Sequence, residues 1–566
     1  MRPLRIFIAG FAVLLIGGVI SASAYLASVA RSGTGYEAQT MCSAVFISGR
    51  APESVRAAEF QGLHPLLKSV SLTIERRKHE VRANLFGLGA QKSSFREGLG
   101  CTLTDIGSKL PPAPAVLGTR RTPPDDDIAR GVRNLPHEID PVRLAAAVDR
   151  AFEEADAANP LQTRALLVLL DGHPIAERYA PGFNKDMPLA GYSMTKTVMS
   201  ALTGILIERG RLRLDQTGLM PEWRATGDAR GRIAVDNLLH MTSGLNWDED
   251  SHNPRGDALL MAFHDRDTSA LAASRPLVHM PGTMVNYNSG AANILSRVLR
   301  DTFAGDIDAY LAFPRTAIFD RIGMSTAMIA PDGSGVLFGS TQGFATARDW
   351  ARFGELYRND GRWNGEQILP SGWVSYSVRP QAATGGADYG AMIRLNRGAP
   401  GRPSERPYPL LPEDTLMMHG QFSQVAVIIP SRRLIIVRLG ETHSDVAAAR
   451  LDRAFGEIMD AGAPRAAESA SISPPFSARC RDVGANGGAV DAVVAAVRHD
   501  LGQRDRYGLP DLGLAPAPKP QVDCVPVAVF GRSIAPWRAA AKTPEGTVKA
   551  NAPPFPYVVT RELASK

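Results

Sequence analysis

The sequence predicts an α+β protein whose main domain has three layers, an antiparallel sheet flanked by helices, with a mainly helical insert. Three observations carry this. A hairpin pattern stands near the start of the domain: an apolar run over residues 165–170, the turn pair Asp171-Gly172, and a second strand from Pro174 to Tyr179. A second hairpin pattern stands near its end, where residues 425–430 and 434–439 are joined by Ser431-Arg432-Arg433. Between them apolar residues recur mostly at helical spacing, so the sheet draws its strands from both ends of the stretch.

The elements follow in order. Arg2 and Arg5 precede residues 6–30, which carry no charge, and Arg31 closes the stretch. That length crosses a bilayer as a helix. Residues 1–31 read as a signal anchor, or as a signal peptide cleaved after Ala22-Ser23-Ala24. Either way Arg2 and Arg5 stay in the cytoplasm. The rest lies on the periplasmic side, held to the inner membrane by a single pass or secreted. Cys42, Cys101, Cys480 and Cys524 agree with export, because an even count in an oxidising compartment points to disulfides. Local pairing, Cys42 with Cys101 and Cys480 with Cys524, keeps each bridge within one segment.

Residues 32–110 form a small module, with a strand and turn over 45–49 and half-buried strands over 70–74 and 80–86. Residues 111–139 read as a linker that prolines and the acidic run Asp125-Asp126-Asp127 keep from packing. Residues 140–463 are the main domain. Asp140 caps a helix reaching to about residue 157, with Leu144, Val148 and Phe152 inward. After the first hairpin comes a helix carrying Leu202, Ile205, Leu206 and Ile207, ended by Gly210. Shorter helices follow over 235–239, 291–299 and 347–357, and one over 446–459 closes the domain. Residues 464–566, rich in Pro, Ala, Gly and Arg, are expected to be largely irregular.

Composition bounds the function. The 566 residues are 44% hydrophobic, enough for a large core, and the net charge of +6 is not gathered into basic blocks. A nucleic-acid partner is therefore not expected. His264 and His279 show no metal-ligand spacing, and no metal or cofactor is expected. Asp248-Glu249-Asp250 reads as a solvated turn.

The chemistry centres on Gly191-Tyr192-Ser193-Met194-Thr195-Lys196. A helix here puts Ser193 and Lys196 on one face of its first turn. A serine hydroxyl becomes a nucleophile when a base takes its proton, and a neutral lysine amine can do so. The chain otherwise prefers arginine: between Pro111 and Pro518 its only lysines are Lys185 and Lys196. Arginine cannot give up its proton, and lysine can. Set against this is a plain helix start with a surface lysine. Pro281-Gly282-Thr283 leads to Tyr287-Asn288-Ser289-Gly290, a loop that can aim a tyrosine and a hydroxyl into a cleft. Met418-His419-Gly420-Gln421-Phe422-Ser423-Gln424 enters a strand whose glycine lets a substrate approach and whose N–H groups can hold an oxyanion.

Taken in that order, these stretches resemble the serine β-lactamase and penicillin-binding-protein superfamily, specifically its class C-like branch. Its signature combines Ser-x-x-Lys with Ser-Asp-Asn and Lys-Thr-Gly elements. Ser193 and Lys196 match the first element. Tyr287-Asn288-Ser289 corresponds to the branch's Tyr-x-Asn, with Ser289 in place of Asn. Met418-His419-Gly420 keeps only the glycine of Lys-Thr-Gly. The stretches around Tyr287 and Gly420 look most like the 6-aminohexanoate-dimer (nylon-oligomer) hydrolases.

The resemblance implies the β-lactamase-like fold over residues 140–463 and a serine hydrolase that cleaves small amides or esters through an acyl-enzyme. It implies Ser193, Lys196 and Tyr287 as catalytic and the backbone N–H groups of Ser193 and Gln421 as the oxyanion hole. Ser289, His419 and Gly420 would meet the substrate. Met418 replaces the lysine that holds an antibiotic's carboxylate, which disfavours β-lactam turnover. The alternatives are a β-lactamase, a D-Ala peptidase, or a penicillin-binding or peptidoglycan sensor that is acylated without turnover.

Overall fold

The computed structural model describes residues 2–462 apart from 61–63, 118–123, 252, 382–387 and 399–404. The expected tail, with Cys480 and Cys524, lies outside the described residues.

The chain opens with α1 (Arg2–Cys42), a single helix of 41 residues. Among the described residues it is the one helix long and apolar enough to cross a membrane. Its character changes along its length. Leu14, Leu15, Ile16, Tyr25 and Leu26 are exposed, whereas Val29, Ala30, Ala38 and Met41 are buried. The buried half packs on an antiparallel sheet of β1 (Ser71–Glu75), β2 (Glu80–Leu85), β3 (Leu88–Arg96) and β4 (Gly100–Asp105), in that spatial order. A disulfide between Cys42 and Cys101 fixes the end of α1 to β4.

Residues 45–49 were expected as a strand and turn. Instead Ser43–Ile47 continues the helical path with one wider turn. Extending an existing helix adds a hydrogen bond for each residue fixed, and Ala44 and Val45 gain burial by it. Gly49, with φ of 67°, ends the run.

The N-terminal module is built onto the main domain. Ser48 Oγ donates to the Pro188 carbonyl at 2.6 Å and Thr102 Oγ1 to the Pro331 carbonyl at 2.9 Å. Arg50 and Arg164, one from each part, both pair with Glu59, and Arg164 also reaches Glu441 at 3.1 Å. The described part of residues 111–139 also packs, against the expectation from its prolines and charge. Leu117 and Ile128 join the main core. The acidic run is neutralised where it lands: Asp126 pairs with Arg352 at 2.5 Å, and Arg348 donates to the Ala129 carbonyl at 2.7 Å.

In the main domain α2 (Pro141–Arg150) begins as expected, with Asp140 Oδ1 accepting from Val142 N at 2.9 Å. It ends at Arg150, short of residue 157. Beyond it, Glu154 accepts from the N–H groups of Leu161 and Gln162, each at 2.7 Å, and Asp156 accepts from Ala158 N. These side-chain acceptors compete with the helical ladder.

The central sheet contains β5 (Thr163–Leu170), β6 (His173–Tyr179), β7 (Arg394–Leu395), β8 (Leu416–Gly420), β9 (Gln424–Ile429) and β10 (Leu434–Gly440). Its spatial order is β7-β8-β9-β10-β5-β6, antiparallel throughout. The β10–β5 pairing, with Ile436 opposite Val168, joins the two ends of the domain. The Asp171-Gly172 turn takes φ of 50° and 79°, the left-handed pair that a two-residue hairpin needs.

Four helices complete the frame: α3 (Met194–Glu208), α4 (Ser289–Asp301), α5 (Ala347–Arg358) and α6 (Asp445–Gly462). Alternation along each strand builds two cores. Leu166, Val168 and Ile436 pack with Leu144 of α2 and with Phe455 and Ile458 of α6. Leu167, Leu169 and Val437 pack with Val198 and Leu202 of α3 and with Phe353 of α5. The sheet therefore lies between two helical layers, with α3 inside the larger core.

Candidate active site

Ser193 is the N-cap of α3, and the first N–H groups of that helix, those of Met194, Thr195 and Lys196, bond the carbonyls of Gly191, Tyr192 and Ser193, each at 3.0 Å. Tyr192, just before it, has φ of 47°, a strained conformation for a non-glycine residue. Ser193 is half-buried, and Lys196, one turn later, is 1% exposed. The Ser193 hydroxyl is thus partly open to solvent while the amine behind it is sealed from water.

Three oxygens surround Lys196 Nζ: Ser193 Oγ at 2.8 Å, Ser289 Oγ at 3.0 Å and the Ser340 carbonyl at 3.1 Å. The Tyr287 ring lies across the same amine, its centroid 4.8 Å from Nζ. Ser289 is the first residue of α4, which is capped by Asn288 Oδ1 on Ala291 N at 2.8 Å. That start turns the Ser289 hydroxyl inward. It was expected to meet the substrate, but it is 2% exposed and held between Lys196 and Glu249. Ser340 is fixed by its own N–H donating to Asn293 Oδ1 at 3.1 Å.

Glu249 is the residue that sequence reasoning missed. Its carboxylate accepts from Ser289 Oγ, from Ser289 N at 2.9 Å and from Trp247 Nε1. Inside an acidic triplet it looks like part of a solvated turn. The available signal was Trp247, two residues earlier, an indole whose N–H needs an acceptor when buried.

The end of β8 closes one side of the site. Gly420 lies so close to the loop before Ser193 that a Cβ on it would fall 2.2 Å from the Gly191 carbonyl oxygen. Gln421 follows, and then Phe422 and Ser423 with φ of 59° and 58°. The Phe422 ring meets Tyr192 edge-on at 5.4 Å. Burial, helped by the nearby Arg394, holds His419 down at about 3, so its imidazole is neutral at pH 7. Met418 is fully buried. On the far side of Tyr192 lies a polar cavity lined by Arg50, Glu59, Arg164, Gln342 and Glu441. Burial pushes Glu441 up to about 7, with Glu59 adding to the shift and Arg164 opposing it. Among the described residues no three His, Cys, Asp or Glu side chains gather as a metal site.

The structure therefore brings Ser193, Lys196, Tyr287 and Ser289 together and adds Glu249 and Ser340. It sets Gly420 and Gln421 on the adjoining strand edge.

The chain belongs to the Beta-lactamase family, whose sequence model matches residues 148–456. A 6-aminohexanoate-dimer hydrolase from Paenarthrobacter ureafaciens is 26% identical over 251 residues, covering 41% of this chain and 61% of that protein. The chain thus spans about three-fifths of the length of the curated relative it matches. A solved penicillin-binding-protein homologue from Caulobacter crescentus is 16% identical, with 58% of this chain and 99% of that one covered and a TM-score of 0.45. A family VIII carboxylesterase is also 16% identical, with coverage of 57% and 98% and a TM-score of 0.45.

Proposed function

We propose that this protein is an exported serine hydrolase that cleaves small amides or esters through an acyl-enzyme on Ser193, with Lys196 as the base. The observation that carries the reading is the set of three oxygens around Lys196 Nζ. A neutral amine has two N–H donors and one lone pair. The Ser340 carbonyl can only accept. The Ser289 hydroxyl donates its hydrogen bond to the Glu249 carboxylate, which is itself acceptor-only, so Ser289 must also accept from lysine. In the neutral form that a general base requires, both lysine N–H bonds are then used, and the lone pair is left facing the Ser193 hydroxyl. Glu249 thus sets the direction of the whole chain of hydrogen bonds.

The steps follow. As Ser193 Oγ bonds to the substrate carbonyl, its proton moves to Lys196. The ammonium so formed gains the face of the Tyr287 ring, a favourable cation–π geometry at 4.8 Å. Its third proton passes to the leaving nitrogen or oxygen, with Tyr287 beside the path. The backbone N–H groups of Ser193 and Gln421 hold the oxyanion, each donor worth roughly 3 kcal/mol of barrier. Lys196, neutral again, then draws a proton from the water that releases the acyl group.

For the substrate, the name of the Paenarthrobacter relative favours short amides of the aminohexanoate type. The buried Met418 and neutral His419 offer no cation for an antibiotic's carboxylate. For location, the exposed apolar half of α1 supports a membrane anchor, and the Cys42–Cys101 bridge supports an oxidising compartment. The test of the nucleophile is burst kinetics with p-nitrophenyl acetate. The wild type is expected to release a burst that Ser193→Ala lacks. An equal burst from that variant would falsify the assignment.

A further inference from the structure

The direction of β3 relative to α1 brings one end of the N-terminal sheet level with the place where α1 becomes exposed. Gly89 lies against the backbone of Ala30 and Arg31, and its carbonyl accepts from Thr34 Oγ1 at 2.6 Å. Further along, Gln91 donates to the Arg31 carbonyl and Ser93 to Gln39 Oε1. The strand therefore runs alongside the helix in the same direction. Traced backwards from Gly89, β3 leads to the turn at Phe86-Gly87, on the side where α1 becomes exposed. Ala30 is also the last residue of the uncharged stretch.

Large apolar side chains are exposed at that end. The tip carries Phe86 and Leu88, which are 76% and 61% exposed. β1 starts there, with Ser71 opposite Asn84, and the turn leading into it exposes Leu66 while Leu67 packs onto Gly33 of α1. β4 ends there, with Asp105 opposite Gln91, and exposes Ile106 next. Four exposed apolar residues from three separate turns thus share one end of the sheet. The charge at this end suits an anionic surface: Lys68, next to Leu67, is exposed, and Asp105 is paired with Arg31 at 2.7 Å.

We propose that this end of the module is a bilayer-docking surface, in which Leu66, Phe86, Leu88 and Ile106 enter the lipid interface around the emerging α1. The proposal rests on the anchor reading above. A helix spanning the membrane places its exit at Ala30 and Arg31 and brings the hairpin tip to the headgroup level. Apolar side chains there leave water, and Lys68 meets anionic headgroups. Because α1 runs unbroken from the span into the module, the docked collar holds the catalytic domain at a fixed height and tilt.

The test uses the full chain in vesicles of phosphatidylethanolamine and phosphatidylglycerol containing a lipid with a photoactivatable acyl chain. Labelled peptides are mapped by mass spectrometry. Val142 and Val446, exposed apolar residues of the main domain, serve as internal controls. The proposal predicts labelling of residues 14–26, and labelling around Phe86 and Leu88 several-fold above the two controls. In the Phe86→Ser/Leu88→Ser variant, acylation of Ser193 should persist while labelling of the neighbouring Leu66 and Ile106 peptides falls. Labelled α1 with the tip at control level overturns the collar and leaves the anchor intact. An unlabelled α1 in a chain that alkaline carbonate releases from the vesicles overturns the anchor reading, and the collar with it.

Discussion

Replacing Glu249 with glutamine keeps the shape of the side chain and changes one thing, the direction of a hydrogen bond. The carboxylate receives three donors: the Ser289 hydroxyl, the Ser289 N–H and the Trp247 indole. An amide has one oxygen that accepts and one nitrogen that donates. One of the three donors must then face an N–H₂ group. The two N–H donors cannot reverse, but the hydroxyl can. Ser289 Oγ would accept from the amide and turn its proton toward Lys196, 3.0 Å away. The lysine lone pair would then be shared between Ser289 and Ser193.

Restoring the productive arrangement means giving up one hydrogen bond to a charged or charge-developing group, roughly 1.5–3 kcal/mol. At about 1.4 kcal/mol per factor of ten in rate, that predicts an acylation constant lower by roughly 10- to 100-fold. The assay is single-turnover acylation by p-nitrophenyl acetate in a stopped-flow instrument, with the thermal midpoint as a control for folding. Ser289→Ala should cost about as much, and the double variant little more than either, because both changes break the same link. A Glu249→Gln rate within about twofold of wild type, or losses that add in the double variant, would refute the assigned direction.

Three further outcomes are expected. Lys196→Arg should abolish the burst almost completely although the charge is kept, since a guanidinium cannot take the proton from Ser193; a burst of normal amplitude and rate would count against the base. Cys42→Ser opens a bridge that spans 59 residues and should destabilise the protein by roughly 4 kcal/mol, read as a fall in the thermal midpoint against the wild type under non-reducing conditions. Glu441 should make stability fall with rising pH. Its carboxyl is held up at about 7 by burial, so between its ordinary value of 4.5 and 7 the folded state holds a proton that the unfolded state releases. The stabilisation is complete below 4.5 and is lost as pH rises through 7, and Glu441→Gln should flatten the midpoint-against-pH curve across that window.

Much of the frame could be read from local chemistry. The Asp171-Gly172 turn and the glycine after α3 depend on a left-handed backbone that few residues adopt, and the Asp140 cap on a short side-chain acceptor, so the residue announces the geometry. The central strands β5, β9 and β10 are buried on both faces and read as continuous apolar runs. β3 was missed for the opposite reason. Its middle is Gln91, Lys92, Ser93 and Ser94, and these polar residues are inside because α1 and neighbouring strands bond them.

In the site, Ser193 and Lys196 were legible because one helical turn fixes their separation. Glu249 acts on Lys196 only through Ser289, 40 residues away, and Ser340 reaches it across 144 residues; apart from the indole of Trp247, which needs an acceptor, nothing in their own neighbourhoods points to the site. The packing of residues 124–130 was hidden in the same way. Their acidic run looks solvated until Arg352, on α5, is placed beside it.

The central claim is that Ser193 carries the acyl group and Lys196 makes it nucleophilic. The most direct measurement is rapid acid quench of the full-length wild type during p-nitrophenyl acetate turnover, followed by peptide mapping. The account predicts an acetyl group on Ser193 that appears in the burst phase and disappears when the ester is exhausted, and none on that peptide in Lys196→Arg. Turnover with Ser193 unmodified throughout, or an acetyl group accumulating on another side chain at the burst rate, would contradict it.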